Sequence, residues 1–246
     1  EKLPPTGKLD PATRDAINTR IELGGSAVPP PATGTTISKA GQRNLIGPTR
    51  DGYPVLRQGD HHGLVGNGVK APVAAPGERQ RSDPSIANVG CVLTSLTMIA
   101  RKEGTFKGDV PAANEAIKAN GGFGAGSASM NLGPGAEALG LKVSDATPTT
   151  TPYAGREALD SAVDAGQAVM VRVSLGDRAA PKTHDPAGDH TVIITGRDPD
   201  GTYHGIDPAG GYDLTFRYDN QGNLVGAGWR HYLVESFRVV TPMEST

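Results

Sequence analysis

The chain has a single cysteine in 246 residues, which excludes an internal disulfide and any zinc site built from several thiolates. Cys91 is therefore either an inert core thiol or a reactive one. Long hydrophobic runs are also lacking: no segment approaches the roughly eighteen apolar residues that a bilayer-spanning helix requires. Nor does charge of one sign accumulate. Lysine and arginine number 24 against 26 aspartates and glutamates, spread along the chain for a net charge of -2, so there is neither a basic field for a phosphate backbone nor an acidic tail. No nucleic acid partner and no membrane span are expected. The opening Glu1-Lys2-Leu3-Pro4 resembles neither a signal peptide nor an initiator methionine, and we read the N-terminus as cropped.

What is present is unevenly distributed. The length suits one core with an appendage, since domains usually run to roughly 100–200 residues. Residues 1–25 hold a turn, Pro5-Thr6-Gly7-Lys8, and a helix capped by Asp10 with Pro11 as its first residue, running through Ala16, Ile17 and Ile21 to Gly24-Gly25. Residues 26–79 begin with an extended linker around Pro29-Pro30-Pro31 and continue as an irregular lead-in rich in glycine and proline. Regular structure is legible from residue 80 to 246. Leu93, Leu96 and Ile99 or Ala100 recur at helical spacing behind Cys91, with Gly104 as a stop, and further helices are predicted at 110–119, 136–139 and 156–165. The period then changes to that of strands, at 168–173, 190–195, 203–206, 212–218 and 232–240. Helices followed by strands predict an α+β domain: an N-terminal helical half with the cysteine at a helix start, then a C-terminal antiparallel sheet.

Position gives the cysteine a chemical meaning. A thiol in the first turn of a helix faces unpaired N–H groups and the positive end of the macrodipole, both of which favour thiolate. Gly90 permits close backbone approach there, and Thr94 and Ser95 can satisfy polar groups of the first turn. A small buried hydrophobe is the plain alternative for Cys91. His190 opens the apolar strand Thr191-Val-Ile-Ile-Thr195 behind the turn Gly188-Asp189, so its imidazole is held at a sheet end, as a general base must be. Asp207 follows 17 positions later, after one strand, a turn through Asp198-Pro-Asp200-Gly201 and a return strand. A hairpin of that length sets it beside His190 to orient the ring. Of the other histidines, His184 falls in a polar loop, His61 and His62 in the lead-in, and His204 and His231 have no acid at comparable spacing. Taken singly, His190 and Asp207 also read as a solvent-facing strand end and a turn residue.

Gly90-Cys91-Val92-Leu93-Thr94-Ser95-Leu96-Thr97-Met98 resembles the Gly-Cys-Gly-Pro-Thr-Ser-Leu-Ala-Met pattern of papain-like cysteine peptidases related to the bacteriocin-processing, double-glycine leader peptidases. Gly188-Asp-His190-Thr-Val-Ile-Ile-Thr-Gly196 and Gly205-Ile-Asp207-Pro-Ala-Gly-Gly211 resemble that family's histidine strand and aspartate-proline turn, the likeness running from about Gln80 to Val240. The resemblance implies a papain-like fold and a thioester mechanism on peptide amide bonds that needs no metal or organic cofactor. It also implies Gln80 as the oxyanion-hole side chain beside the backbone N–H of Cys91. Val92-Leu93 stands where the pattern has Gly-Pro, and Asn88 is the alternative source of the amide.

Leu3 through Ile17 is similar to the closing turn and last helix of small peptidoglycan-binding helical domains, an ordinary capped helix being the alternative. This second resemblance implies a bacterial enzyme that is secreted or directed to the cell envelope, by a secretion system in one version. Its expected substrate is a peptidoglycan stem or cross-link peptide, and an inhibitory or immunity protein is the expected protein partner. The same catalytic residues also suit a protein-directed protease (a delivered effector or a leader-peptide processor), a transpeptidase or transglutaminase, or an inactive papain-like binding module. Gly121-Gly-Phe-Gly-Ala-Gly126 lacks the strand and the Lys-Ser/Thr of a phosphate loop and reads as a loop near the substrate groove. The two carboxylates of Asp198-Pro-Asp200-Gly201 read as a turn rather than a calcium site.

Overall fold

In chain order the structure forms β1 (Gly34–Ile37), β2 (Arg43–Ile46), a 3₁₀ turn (Gln58–Asp60), α1 (Ile86–Val89), α2 (Cys91–Lys102), α3 (Val110–Ala119), α4 (Leu132–Glu137), β3 (Leu141–Val143), β4 (Thr147–Pro148) and α5 (Arg156–Asp164). There follow β5 (Ala168–Gly176), β6 (His190–Arg197), β7 (Tyr203–Asp207), β8 (Tyr212–Tyr218), β9 (Leu224–Ala227) and β10 (His231–Pro242). This computed structural model describes residues 34–37, 43–46, 49, 51–68, 84–176, 190–228 and 230–244, all within the unit Thr33–Thr246. The expected helix within residues 1–25 and the linker up to residue 33 lie outside the described residues.

Each of the strands β5 to β10 pairs antiparallel with the next, and β10 returns to β5. The six therefore close into a barrel, with β1 and β2 added beside β8, and β3 and β4 beside β10. This corrects the expected papain-like α+β fold with a helical N-terminal half. Sheet dominates, the helices are few and 4 to 12 residues long, and the C-terminal sheet is a closed ring.

Burial explains the closure. Every residue of β6 from Thr191 to Gly196 is buried, whereas a sheet covered on one side only would alternate buried and exposed positions. Val192 and Ile194 point inward with Val169, Val171 and Val173 of β5, and with Tyr203, Phe216, Tyr232 and Phe237 they fill the barrel. Met170, Ile193 and Ile206 belong instead to a second core shared with α2 and α3. The strand that completes the ring, β9, has four residues and is not visible as a periodic pattern. Gly226 at its centre is required for closure, because a Cβ there would lie 2.5 Å from the Phe216 ring.

Helix α2 is buried on every side from Leu93 to Ala100. It is a central helix rather than an amphipathic one lying on the surface. Burying each of Leu93, Leu96 and Ile99 contributes on the order of 1.5–3 kcal/mol. Residues 51–68, loose by composition, are also packed: Tyr53 and Val65 are 1% and 2% exposed. Asn114 of α3 pins this segment, accepting from Gly66 N at 2.7 Å and donating to Leu64 O at 3.1 Å. Backbone bonds from Ile86 N to Gly63 O and from Ala87 N to His61 O then hold it against α1, both at 2.8 Å. No described helix is long and apolar enough to cross a membrane.

Candidate active site

The thiol of Cys91 stands at the first residue of α2, with Gly90 alone between it and the end of the short helix α1. Gly90 makes this junction possible, since a Cβ there would sit 2.4 Å from the carbonyl oxygen of Ile86. The backbone N–H groups of Val92 and Thr191 and the ring of His190 all hydrogen-bond the sulfur. Burial, the largest single influence, pushes the thiol's pKa up, but these three donors together outweigh it and hold Cys91 below its ordinary value of 9.0. The sulfur is nevertheless partly accessible. The first-turn N–H groups of α2 lack intrahelical acceptors, as at any helix start, and the N–H of Cys91 is among them. That group is placed to bind an oxyanion formed next to the sulfur. The hydroxyls of Thr94 and Ser95 do not serve this turn, because they are buried with no hydrogen-bond partner among the described residues.

His190 begins β6 at the barrel rim, opposite Val173 of β5. Its Nε2 lies 2.6 Å from Oδ1 of Asp207, the last residue of β7, which is 0% exposed. In the strand register Asp207 aligns with Val192, so the pair is diagonal across β6 and β7 rather than directly opposite. With Nε2 committed to Asp207, Nδ1 is the nitrogen left for the thiol. Burial pushes the imidazole pKa down, but the hydrogen bonds its ring donates to Asp207 and Cys91 reverse this and bring it up to about 10. Both shifts favour the thiolate–imidazolium form over thiol and imidazole. Asp207 is itself held on both oxygens: Ala209 N donates to Oδ1 at 2.8 Å, and Tyr232 of β10 donates its phenol hydrogen to Oδ2 at 2.6 Å.

Tyr232 was invisible to sequence reasoning, which saw in it only the first residue of a strand. Gln58 was missed as well. It is 5% exposed, donates its backbone N–H to Pro208 O at 2.8 Å, and donates its side-chain amide to Ala87 O at 2.9 Å. One residue thus braces the Asp207-Pro208 turn against the helix that precedes Cys91. No periodicity marks it, and only a glutamine in an otherwise loose segment hinted at a role.

Of the oxyanion candidates, Gln80 lies outside the described residues and Asn88 is exposed on α1. His184 and Asp189 are also outside. His204, expected to have no acid, has Asp198 Oδ2 2.6 Å from its Nε2. The carboxylates of the 198–201 turn are taken up in this way, Asp200 accepting from Thr202 N and from Arg217. Among the described residues no group of histidine, cysteine, aspartate and glutamate is arranged to hold a metal ion.

A cleft of about 830 Å³ opens beside the thiol. Val65, Val89, Val92 and Leu132 form an apolar side, while Thr191 and Arg172 line the opposite side on the sheet. Thr191 follows His190 directly and Val92 follows Cys91, so the cleft adjoins the two residues through their chain neighbours. Compared with known protein families and with curated proteins, the chain gives no match.

Proposed function

We propose that the chain is a cysteine hydrolase of peptide amide bonds, with Cys91 as nucleophile, His190 as acid and base, and Asp207 as the residue that orients the ring. One observation carries this reading: a thiol at a helix start shares a hydrogen bond with a histidine whose other nitrogen is held by a fully buried aspartate. The thiolate attacks the carbonyl carbon, and the Cys91 N–H stabilises the resulting oxyanion. Imidazolium gives its proton to the departing amine and then takes one from the water that hydrolyses the thioester.

The chemistry is independent of the barrel in which it is placed, since such constellations are defined by geometry and roles rather than by fold. For the substrate we propose a stem or cross-link peptide of peptidoglycan, supported by the likeness of residues 3–17 to wall-binding helices. A cell-envelope or extracellular setting follows from that substrate. The test is incubation of purified peptidoglycan and of an unfolded polypeptide with wild type and with Cys91→Ala. Release of new amines from peptidoglycan by wild type alone is the expected result. Cleavage of the polypeptide only would replace the wall substrate with a protein one, and no thiol-dependent product from either would end the hydrolase reading.

A further inference from the structure

We propose that the cleft beside Cys91 selects peptides carrying a free carboxylate, held by Arg172 together with Arg238. This deepens the cysteine-hydrolase reading and rests on it.

The argument begins with register. Arg172 of β5 lies opposite Thr191 on one side and Ser236 of β10 on the other, and Arg238 lies opposite Met170. Residues two apart on a strand share a face, so Arg172, Arg238, Thr191 and Ser236 belong to one face of three adjacent strands, and all four line the cleft. Directly opposed side chains start only about 4.5–5.5 Å apart at Cβ. Arg172 is thus one strand away from Thr191, whose N–H bonds the Cys91 sulfur.

Among the described residues the charge in this row is not neutralised: no aspartate or glutamate lines the cleft, and neither guanidinium has a carboxylate partner. Arg172 is exposed, and Arg238 donates to the neutral carbonyl of Ser144 at 2.7 Å. Other arginines are treated differently: Arg156, Arg197 and Arg217 each meet an aspartate. The nearest acid along β10, Glu235, is 2% exposed and turned to Ser174, whose hydroxyl donates to it at 2.6 Å. Two cations facing an open cleft call for an anion from outside, and a planar guanidinium fits a carboxylate with two parallel bonds. The facing wall of Val65, Val89, Val92 and Leu132 suits an aliphatic side chain. The ligand is accordingly a short peptide that combines an aliphatic residue with a free carboxylate.

The experiment uses pairs of N-acetylated tetrapeptide amides built on alanine and leucine, with glutamate or glutamine at each position in turn. It measures the concentration that half-protects Cys91 from iodoacetamide, and in parallel any cleavage. For at least one position the glutamate peptide is expected to protect at a concentration about tenfold lower than its glutamine twin, the size of one charge-assisted bond. Arg172→Gln should bring that ratio well down toward one, Arg172→Lys should keep only part of it because an ammonium cannot form the two parallel bonds, and Arg217→Gln on the distant surface should leave it alone. Equal protection within every pair, or none at all, overturns the carboxylate site even if peptides are cut. Selective protection lost in Arg172→Gln, with no thiol-dependent product from these peptides, from peptidoglycan or from polypeptide, keeps the site and sinks the hydrolase reading instead.

Discussion

Tyr232 and His190 grip opposite oxygens of one carboxylate: the phenol donates to Oδ2 of Asp207 and the imidazolium to Oδ1, each at 2.6 Å. The two donors come from strands that are not neighbours in the ring, β10 and β6. Asp207 is inaccessible to water, so each bond replaces hydration that the carboxylate has lost, and losing either leaves a buried acceptor uncompensated.

Tyr232→Phe is therefore expected to cost about 1–3 kcal/mol of stability and to lower turnover, because the carboxylate that aims His190 loses one anchor. Denaturant unfolding and steady-state kinetics check this. Unchanged values in both would mean that the phenol is a bystander.

Asp207→Asn should preserve the fold, since Asn can still accept from Ala209 N, but it removes the charge that orients the ring and stabilises its protonated form. In a serine triad the matching change costs about 10⁴ in kcat, and a loss of at least 10² is expected here. Wild-type turnover in this variant would remove Asp207 from the site.

The thiol and the imidazole make a joint prediction for pH. His190, raised from 6.5 to about 10, adds stability that is complete below pH 6.5 and is lost as pH rises through about 10. Cys91, lowered from 9.0, adds stability that is present above pH 9 and is lost as pH falls through its folded value. Between the folded value of Cys91, or 6.5 where that is higher, and 9 the two slopes oppose, because thiolate with imidazolium binds the same number of protons as thiol with imidazole. Wild-type stability should therefore be nearly flat in that window as far as this pair is concerned. Cys91→Ser should uncover a decline with rising pH that begins above 6.5, visible by urea titration at successive pH values. In wild type, iodoacetamide should alkylate Cys91 well below pH 9, and a rate that rises only near 9 would count against the ion pair.

Gly226→Ala forces a methyl group into the Phe216 ring, and overpacking of this kind costs about 1–3 kcal/mol. If thermal unfolding is unmoved, β9 does not hold the ring as tightly as its geometry implies.

How far the sequence anticipated this arrangement depended on how local each signal was. Cys91 at a helix start, and His190 and Asp207 on successive strands, follow from helix spacing, an apolar run and a turn, all encoded within a few residues of one another. The barrel does not. Its closing strand Leu224–Ala227 is short, lies between Gly222 and Gly228, and alternates in burial but not in residue type, Leu-Val-Gly-Ala, so the remaining strands read as an open sheet. Gln58 and the packed segment around it are attached largely by backbone groups, such as Gln58 N to Pro208 O, which leave no mark on residue type. Thr94 and Ser95 mislead for the opposite reason: their type suggests capping, but the all-round burial of α2 leaves their hydroxyls unused.

β10 is translated after every other member of the ring, and it supplies both the seam against β5 and the phenol on Asp207. Without it, the ring would be an open five-stranded sheet with a bare edge on β5 and an aspartate with one anchor fewer. Pairing between segments so distant in sequence is slow relative to helix formation. The Asp207 carboxylate thus gains its second grip only with the strand that also closes the ring.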